Sequence, residues 1–337
     1  MKGFLFIGDP HVSSLRPGRR IDDYLNSVIG KLAEASELAR ALDLAPVILG
    51  DLFHRAGENH LPTLVRLMAV LQSFPQRPLV IGGNHDKNET LLRDADALYL
   101  FKQADTVEVI DGECREAHRY DFEGHLVSLW VAPYGAAIPT EIDPSGADSV
   151  VLVTHHNLAF EGAYPNAAPL HEIVGCSLVV NGHMHKTAPS VTKGQTVWHN
   201  PGNIEPLSVD CIEHVPAVWA WFAQPNNQLI VAHPMAHVRD CFDMTGLIVD
   251  KASTAESVDA AIVTQASDFA ELLAATNRYE TALADADDVF LEELAATLVE
   301  MKASDYVQRL LAALAVKAPI PILEEPAAVP SPGNAAS

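Results

Sequence analysis

The chain has 337 residues, 48% of them hydrophobic and 20% charged, which suits a folded protein of one large or two smaller domains. Lys plus Arg is 22 and Asp plus Glu is 44, giving a formal net charge of −22. That balance excludes a protein that coats nucleic acid by bulk electrostatics, but it leaves room for an enzyme with a local positive site. No apolar run approaches the ~20 residues of a membrane span, and residues 1–8 are too short for a signal-peptide core. Cys114, Cys176, Cys211 and Cys241 are scattered, with no CxxC pair, so the expected location is a reducing cytoplasm.

Residues 3–8 are a short apolar run that stops at Asp9-Pro10, the pattern of a buried strand. Ile21, Leu25, Val28, Ile29, Leu32, Leu38 and Leu42 then recur near spacings of three and four. They predict an amphipathic helix with Asp22 and Asp23 in its first turn, where the helix dipole favours acids. Pro46-Val47-Ile48-Leu49 reads as a strand ending in Gly50-Asp51. Pro62 opens a second helix carrying Leu64, Leu67, Met68 and Leu71, and Pro78-Leu79-Val80-Ile81 is a third strand. The alternation predicts an α/β layered domain. Strands then dominate, at 126–132, 150–154, 178–181, 190–198, 215–222 and 228–232, with Pro225-Asn226-Asn227 a turn between the last two. Residues 255–318 lack glycine; Leu291, Leu294, Leu298, Met301, Val307, Leu310, Leu311 and Leu314 mark one or two amphipathic helices. From Ala318 onward Pro, Ala and Ser dominate, and disorder is expected.

Five short motifs fall where predicted strands run out into loops: Asp9-Pro10-His11, Gly50-Asp51-Leu52-Phe53-His54, Gly83-Asn84-His85-Asp86, His155-His156 and Gly182-His183-Met184-His185. In open α/β sheets sites assemble at that edge. The motifs offer carboxylate, imidazole and amide oxygen and no thiolate, a donor set for hard to borderline divalent ions. Asp9 and His11 lie two apart, as do His183 and His185, so in extended segments each pair shares a face. Two such pairs hold two neighbouring ions, with Asp51 the candidate bridge. Such a pair of ions activates a water and clamps a phosphate for in-line displacement. One Asp-x-His or Gly-Asp alone is usually a turn; the weight lies in five motifs in order.

This set resembles the calcineurin-like metallophosphoesterases over roughly residues 1–210. The resemblance implies an α/β/β/α sandwich with a two-metal centre. His54, where most of the family carries Asp, makes the second motif similar to SbcD-type DNA repair nucleases and the small subunits of phage recombination endonucleases. Looser matches are Ala132-Pro133-Tyr134-Gly135, Asn200-Pro201-Gly202-Asn203-Ile204-Glu205-Pro206 and Arg239-Asp240. Carried over by motif, Asp9, His11 and His185 would bind one ion, Asn84, His155 and His183 the other, and Asp51 both. His155 is preferred to His156 because it directly follows the apolar strand. His85 would contact the scissile phosphate and help the departing oxygen, Asp86 would orient His85, and His54 would position the phosphate. The two divalent ions would be Mn²⁺, with Fe²⁺, Zn²⁺ or Mg²⁺ as alternatives.

Arg16, Arg19, Arg20, Arg55, Lys87 and Lys186 lie within about ten positions of a motif and suggest a phosphate substrate; the four arginines are candidate substrate-binding residues. His199, just before Asn200-Pro201-Gly202, reads first as a structural histidine, with a place facing the cleft as the lesser alternative, and Trp198, Trp219 and Trp221 read as core. The expected organisation is a phosphoesterase domain over 1–240, a mainly helical accessory module over 241–317 that starts with a strand-like run at Phe242, and a tail over 318–337. The expected function is a DNA exo- or endonuclease in repair or recombination, with DNA and an SbcC-type ATPase as partners and a homodimer through the N-terminal helices as a further possibility. The alternatives are a small-substrate phosphoesterase, which the charge fits comfortably, and a non-catalytic scaffold, which the complete set of ligand types opposes.

Overall fold

In a computed structural model, β1 (Gly3–Ile7) sends Phe4 and Phe6 to one face and Leu5 and Ile7 to the other, and all four are fully buried. A strand buried on both faces is a continuous apolar run, which is why it is legible in the sequence. The structure describes residues 1–245, except 162, 165, 224–228 and 237–239. The predicted helices of 255–318, the tail, and the turn at residues 225–227 lie outside the described residues. So does most of the strand-like run after Phe242.

Two six-stranded mixed sheets face each other. The first has the order β12-β11-β1-β2-β3-β4, with β2 (Leu44–Ile48), β3 (Leu79–Ile81) and β4 (Glu108–Ile110) parallel to β1 and with β11 (Ala217–Phe222) and β12 (Leu229–Pro234) forming an antiparallel pair at its other edge. The second has the order β5-β6-β7-β8-β10-β9. Its parallel centre is β6 (His125–Ala132), β7 (Ser149–His155), β8 (Leu178–Gly182) and β10 (Thr196–Asn200), and its antiparallel edges are β5 (Arg115–Phe122) and β9 (Ala188–Lys193). Phe4, Phe6, Val47, Ile81, Val151 and Val180 pack between the sheets. On the outer face of the first sheet lie α1 (Tyr24–Leu42), α2 (Leu61–Gln72) and α3 (Ala97–Gln103), with Val28, Leu32, Leu67 and Phe101 inward. On α2, Leu64 and Leu67 are core, and the apolar residues facing outward are Leu61 and Val65.

Several expectations change. Among the described residues the second sheet's outer face is covered by loops, not helices: Ile142, Leu158, Phe160 and Ile173 pack there on Leu152 and Trp198. Among the described residues the two sheets and one helical layer of the sandwich are present. The helix predicted from Ile21 starts at Tyr24; Asp23 is its N-cap, accepting from Asn26 N at 3.2 Å, and Ile21 is exposed. The run 190–198 is a hairpin, β9 turning through Gly194 into β10. The elements α3, β4 and β5 have no counterpart among the predicted ones. β5 is a largely polar edge strand, joined to β6 through Glu123 and Gly124, both at positive φ (54° and 90°) as a tight hairpin turn requires.

Candidate metal centre

The loops after β1, β2, β3, β7 and β8 converge at one end of the sandwich. They do so by sharp backbone turns: Asp9, His11, Asp51 and His183 all have positive φ, 23°, 47°, 46° and 73°. Non-glycine residues seldom occupy this region, and such strain persists only where the surroundings over-determine it. Here His11 N donates to Asp51 O (2.8 Å), Val12 N to Leu52 O (2.8 Å), and His183 N to the Asp9 carboxylate (2.7 Å). The extended, same-face geometry expected of Asp9/His11 and His183/His185 is thus replaced by kinked loops. His183 and His185 diverge: His183 Nδ1 lies 2.9 Å from Asn84 Oδ1, and His185 Nε2 lies 3.0 Å from His11 Nε2.

Three groups of donor atoms result among the described residues: His11 is shared by a group with His54 and His85 and by one of two Asp/His clusters. Asp9, His11 and His185 bring donor atoms together on one side, and Asp51, His155 and His183 on the other. Asp51 lies between them, its Oδ2 3.5 Å from His11 Nε2 and 3.2 Å from His155 Nε2. His155 Nε2 is also 3.2 Å from Asn84 Oδ1. Its other ring nitrogen donates to the Leu49 carbonyl at 2.7 Å, which leaves Nε2 free for the site. His156 is in neither cluster; its Nε2 donates to Ala136 O at 2.8 Å. Glycines let the loops close: a Cβ on Gly83 would lie 2.1 Å from Asp51 Oδ1, and one on Gly182 2.7 Å from Asp9 Oδ1.

The donor set fits two divalent ions. Ligands ~2.1 Å from a shared ion and at right angles lie ~3.0 Å apart, the spacing seen between the facing nitrogens and oxygens here. Asp9 Oδ1 is buried and accepts no hydrogen bond. Burial pushes the Asp9 carboxyl up to about 7, opposed by His155 and reinforced by the Asp51 charge. Burial also works against the Asp51 carboxylate, but His155 and then His11 outweigh it and hold the group below the usual carboxylate range. Against burial, Asp51 and Asp9 raise His155 to about 9. Burial lowers His183 to about 3, His185 to about 4 and His11 well below its ordinary value, so these imidazoles stay neutral, the form that ligates metal. With no ion bound, the charge on His155 offsets that of the carboxylates; a bound cation would take over that role and release the His155 proton, leaving its Nε2 as a ligand.

Beside the clusters, His85 and His54 stack with ring centroids 5.5 Å apart and planes 16° from parallel. They line an open cleft of about 470 Å³ with Arg55, Asn84, Lys87 and Asn88. His85 Nδ1 donates to His54 O (2.9 Å), so its Nε2 is the nitrogen left for substrate. Asp86 does not orient that ring as the resemblance implied. Its oxygens accept from the amides of Phe53 (3.0 Å) and Gly83 (3.1 Å), so it locks the two loops together.

The chain matches the calcineurin-like phosphoesterase family over residues 3–187. It belongs to that family. A hypothetical protein from Thermus thermophilus is similar in structure, with 11% identity and a TM-score of 0.40, covering 70% of this chain and 99% of that one. No curated protein matches the chain. The activity of this calcineurin-like phosphoesterase is hydrolysis of phosphoester bonds, and the clusters of Asp and His just described would hold the metal it depends on. Bound ions supply Lewis acidity and an activated water. The protein's part is to hold Asp51 between the clusters, to keep His11, His183 and His185 neutral, and to aim His85 Nε2 into the cleft.

Of the first-loop arginines, Arg16 and Arg19 are exposed and Arg20 serves another purpose. Arg20 is buried, bonded to Asp22 (2.8 and 2.6 Å), Glu205 (2.5 Å) and Pro206 O (2.6 Å). Arg19 donates to the carbonyls of Asp243 and Thr245, and Arg16 to Ile21 O. Lys87 pairs with Asp111 (2.6 Å) and Lys186 with Asp210 (3.1 Å). Among these bases Arg55 remains at the cleft, exposed and next to His54. Arg20 is therefore not a substrate contact, because a buried guanidinium taken up by Asp22, the buried Glu205 and Pro206 O has no donors to offer. His199 is buried against Trp219, ring centroids 4.3 Å apart, and Trp198 and Trp221 are core. Two tyrosines went unassigned in the sequence: Tyr134 and Tyr164 flank His183 at 5.8 and 6.1 Å between ring centroids. Tyr134 belongs to one of the looser motif matches; Tyr164 carries no sequence signal. No helix among the described residues is long and apolar enough to cross a membrane.

Proposed function

We propose that this phosphoesterase is a two-metal phosphodiesterase that cleaves DNA, loaded with Mn²⁺ and working with an SbcC-type ATPase. The observation that carries the reading is His54. It stacks on His85 at the open side of the centre, so the residue that sets the SbcD-type motif apart lies against the one that would meet the scissile phosphate. His85 Nε2 would protonate the departing oxygen, while His54 and Arg55 would hold the phosphate. Burial lowers His54 to about 4, so near neutral pH it would act as a neutral hydrogen-bonding partner.

A second reading, a small-substrate phosphoesterase, is favoured by one observation. Arg19, Arg20, Lys87 and Lys186 are tied to partners, which leaves little free basic surface to track a polymer backbone on a chain of net charge −22. The test is turnover of linear duplex DNA against a chromogenic phosphodiester, both with Mn²⁺ and with and without the ATPase. The nuclease reading requires DNA cleavage that the ATPase stimulates. Rapid hydrolysis of the small ester with no cut DNA would replace it by the second.

A further inference from the structure

The motif Asn200-Pro201-Gly202-Asn203-Ile204-Glu205-Pro206 provides no ligand in either cluster, yet it is buried beside them. Its backbone ties two ligand loops together. Ile204 N donates to Gly8 O (3.0 Å), next to Asp9, and Asn203 N donates to His185 O (3.0 Å). Glu205, 1% exposed, fixes that backbone. Its carboxylate takes Arg20 at 2.5 Å, Lys31 at 2.8 Å and Ser27 Oγ at 2.8 Å. Two buried cations on one buried carboxylate are stable only as a unit, since removing one partner strands the others in low dielectric.

The same cluster reaches the third ligand. Tyr24, Ser27 and Lys31 lie at i, i+3 and i+7 on one face of α1, the face turned to Glu205. Tyr24 is buried, and its hydroxyl donates to the carbonyl of His11 at 2.8 Å. The Arg20 guanidinium lies 5.1 Å from the Tyr24 ring centroid, holding the ring from above. His11 is one of the residues at positive φ, so its peptide orientation needs an external partner. Each residue of one cluster, Asp9, His11 and His185, therefore has its own or an adjoining carbonyl bonded into this network. The other cluster has its own support in Leu49 O on His155, and it meets the first through His183 N on the Asp9 carboxylate and His11 N on Asp51 O.

We propose that Tyr24 and Glu205 are positioning residues for the Asp9–His11–His185 ion site and not for its neighbour. The inference rests on the metal-centre reading. It predicts an asymmetry that general destabilisation does not produce: loosening the network weakens one ion and spares the other. Outer partners of metal ligands typically matter by ~10–100-fold in affinity.

The test is titration of the metal-free full chain with Mn²⁺, following free Mn²⁺ by electron paramagnetic resonance. Tyr24→Phe keeps the ring and removes only the hydroxyl; Val28→Ala, a buried change on the same helix, serves as the destabilising control. Wild type should bind two ions. Tyr24→Phe should weaken one of them by ~10–100-fold and leave the other within about twofold, with turnover restored at high Mn²⁺. Glu205→Gln should show the same selectivity where it folds. Val28→Ala should lose thermal stability with both affinities intact. Unchanged or equally weakened sites in Tyr24→Phe, or the same selective loss in Val28→Ala, would overturn the inference and leave the two-metal reading standing. A wild-type chain that takes up no Mn²⁺ would sink both.

Discussion

A single methyl group added at Gly83 tests how closely the site is packed. The added Cβ would lie 2.1 Å from Asp51 Oδ1 and 2.4 Å from Asp51 N, where ordinary contact begins near 3.4 Å. Gly83 is not at positive φ, so alanine meets no backbone strain there and the effect is purely steric. One of the two loops must give by roughly 1 Å. The carboxylate then loses the hydrogen bond from His85 N (2.8 Å) and its central place between His11 and His155. Losing a buried hydrogen bond to a charged group costs ~1.5–3 kcal/mol, and misplacing a catalytic group by ~1 Å costs ~10²-fold in rate. Gly83→Ala should therefore stay folded with a lowered melting temperature, bind Mn²⁺ more weakly, and turn over a chromogenic phosphodiester at least ~10²-fold more slowly. The matched control is Gly30→Ala in α1, whose added Cβ meets nothing within 4 Å. It should stabilise the helix by ~0.5–1 kcal/mol and leave turnover unchanged. Wild-type rate and Mn²⁺ affinity in Gly83→Ala would refute the idea that Asp51 must stand where it does.

His85→Ala should reduce kcat by ~10²–10⁴-fold while both ions remain, as measured by metal analysis after desalting; loss of the ions would make His85 a ligand instead. Arg20→Met should cost ~3–5 kcal/mol in denaturant unfolding, because Glu205 and Asp22 lose a buried partner, whereas Arg55→Ala should leave stability within ~0.5 kcal/mol. A near-neutral Arg20→Met would contradict the structural role assigned to it. Burial lowers His199 to about 4, so between pH 6.5 and 4 the unfolded chain takes up a proton that the folded chain refuses. Stability at this residue is therefore intact above pH 6.5 and falls as pH drops through that window, by at most ~3 kcal/mol. His199→Gln should flatten the fall in melting temperature between pH 7 and 5, and an unchanged slope would show that His199 is not buried as described.

Much of the molecule is legible without the structure, for identifiable reasons. β1, β2, β3, β7 and β8 are buried on both faces and so appear as unbroken apolar runs. The candidate ligands stand out because each ends or follows one of these strands and only a few residue types bind divalent ions. β4, three residues opening on the half-buried Glu108, and β5, polar at its sheet edge, leave no comparable pattern. Where a side chain points was decided by tertiary structure. His183 and His185 have the spacing of a same-face pair, but a positive φ at His183 sends them to different clusters. Asp86 adjoins His85 in sequence and bonds instead to the amides of Phe53 and Gly83. Arg20 has the sequence neighbourhood of a phosphate contact, and its partner Glu205 lies far along the chain. Local sequence records burial and chemistry, because both act on each residue where it stands. The pairing of Arg20 with Glu205 depends on which distant segment closes over the loop, and that is settled only when the two sheets pack.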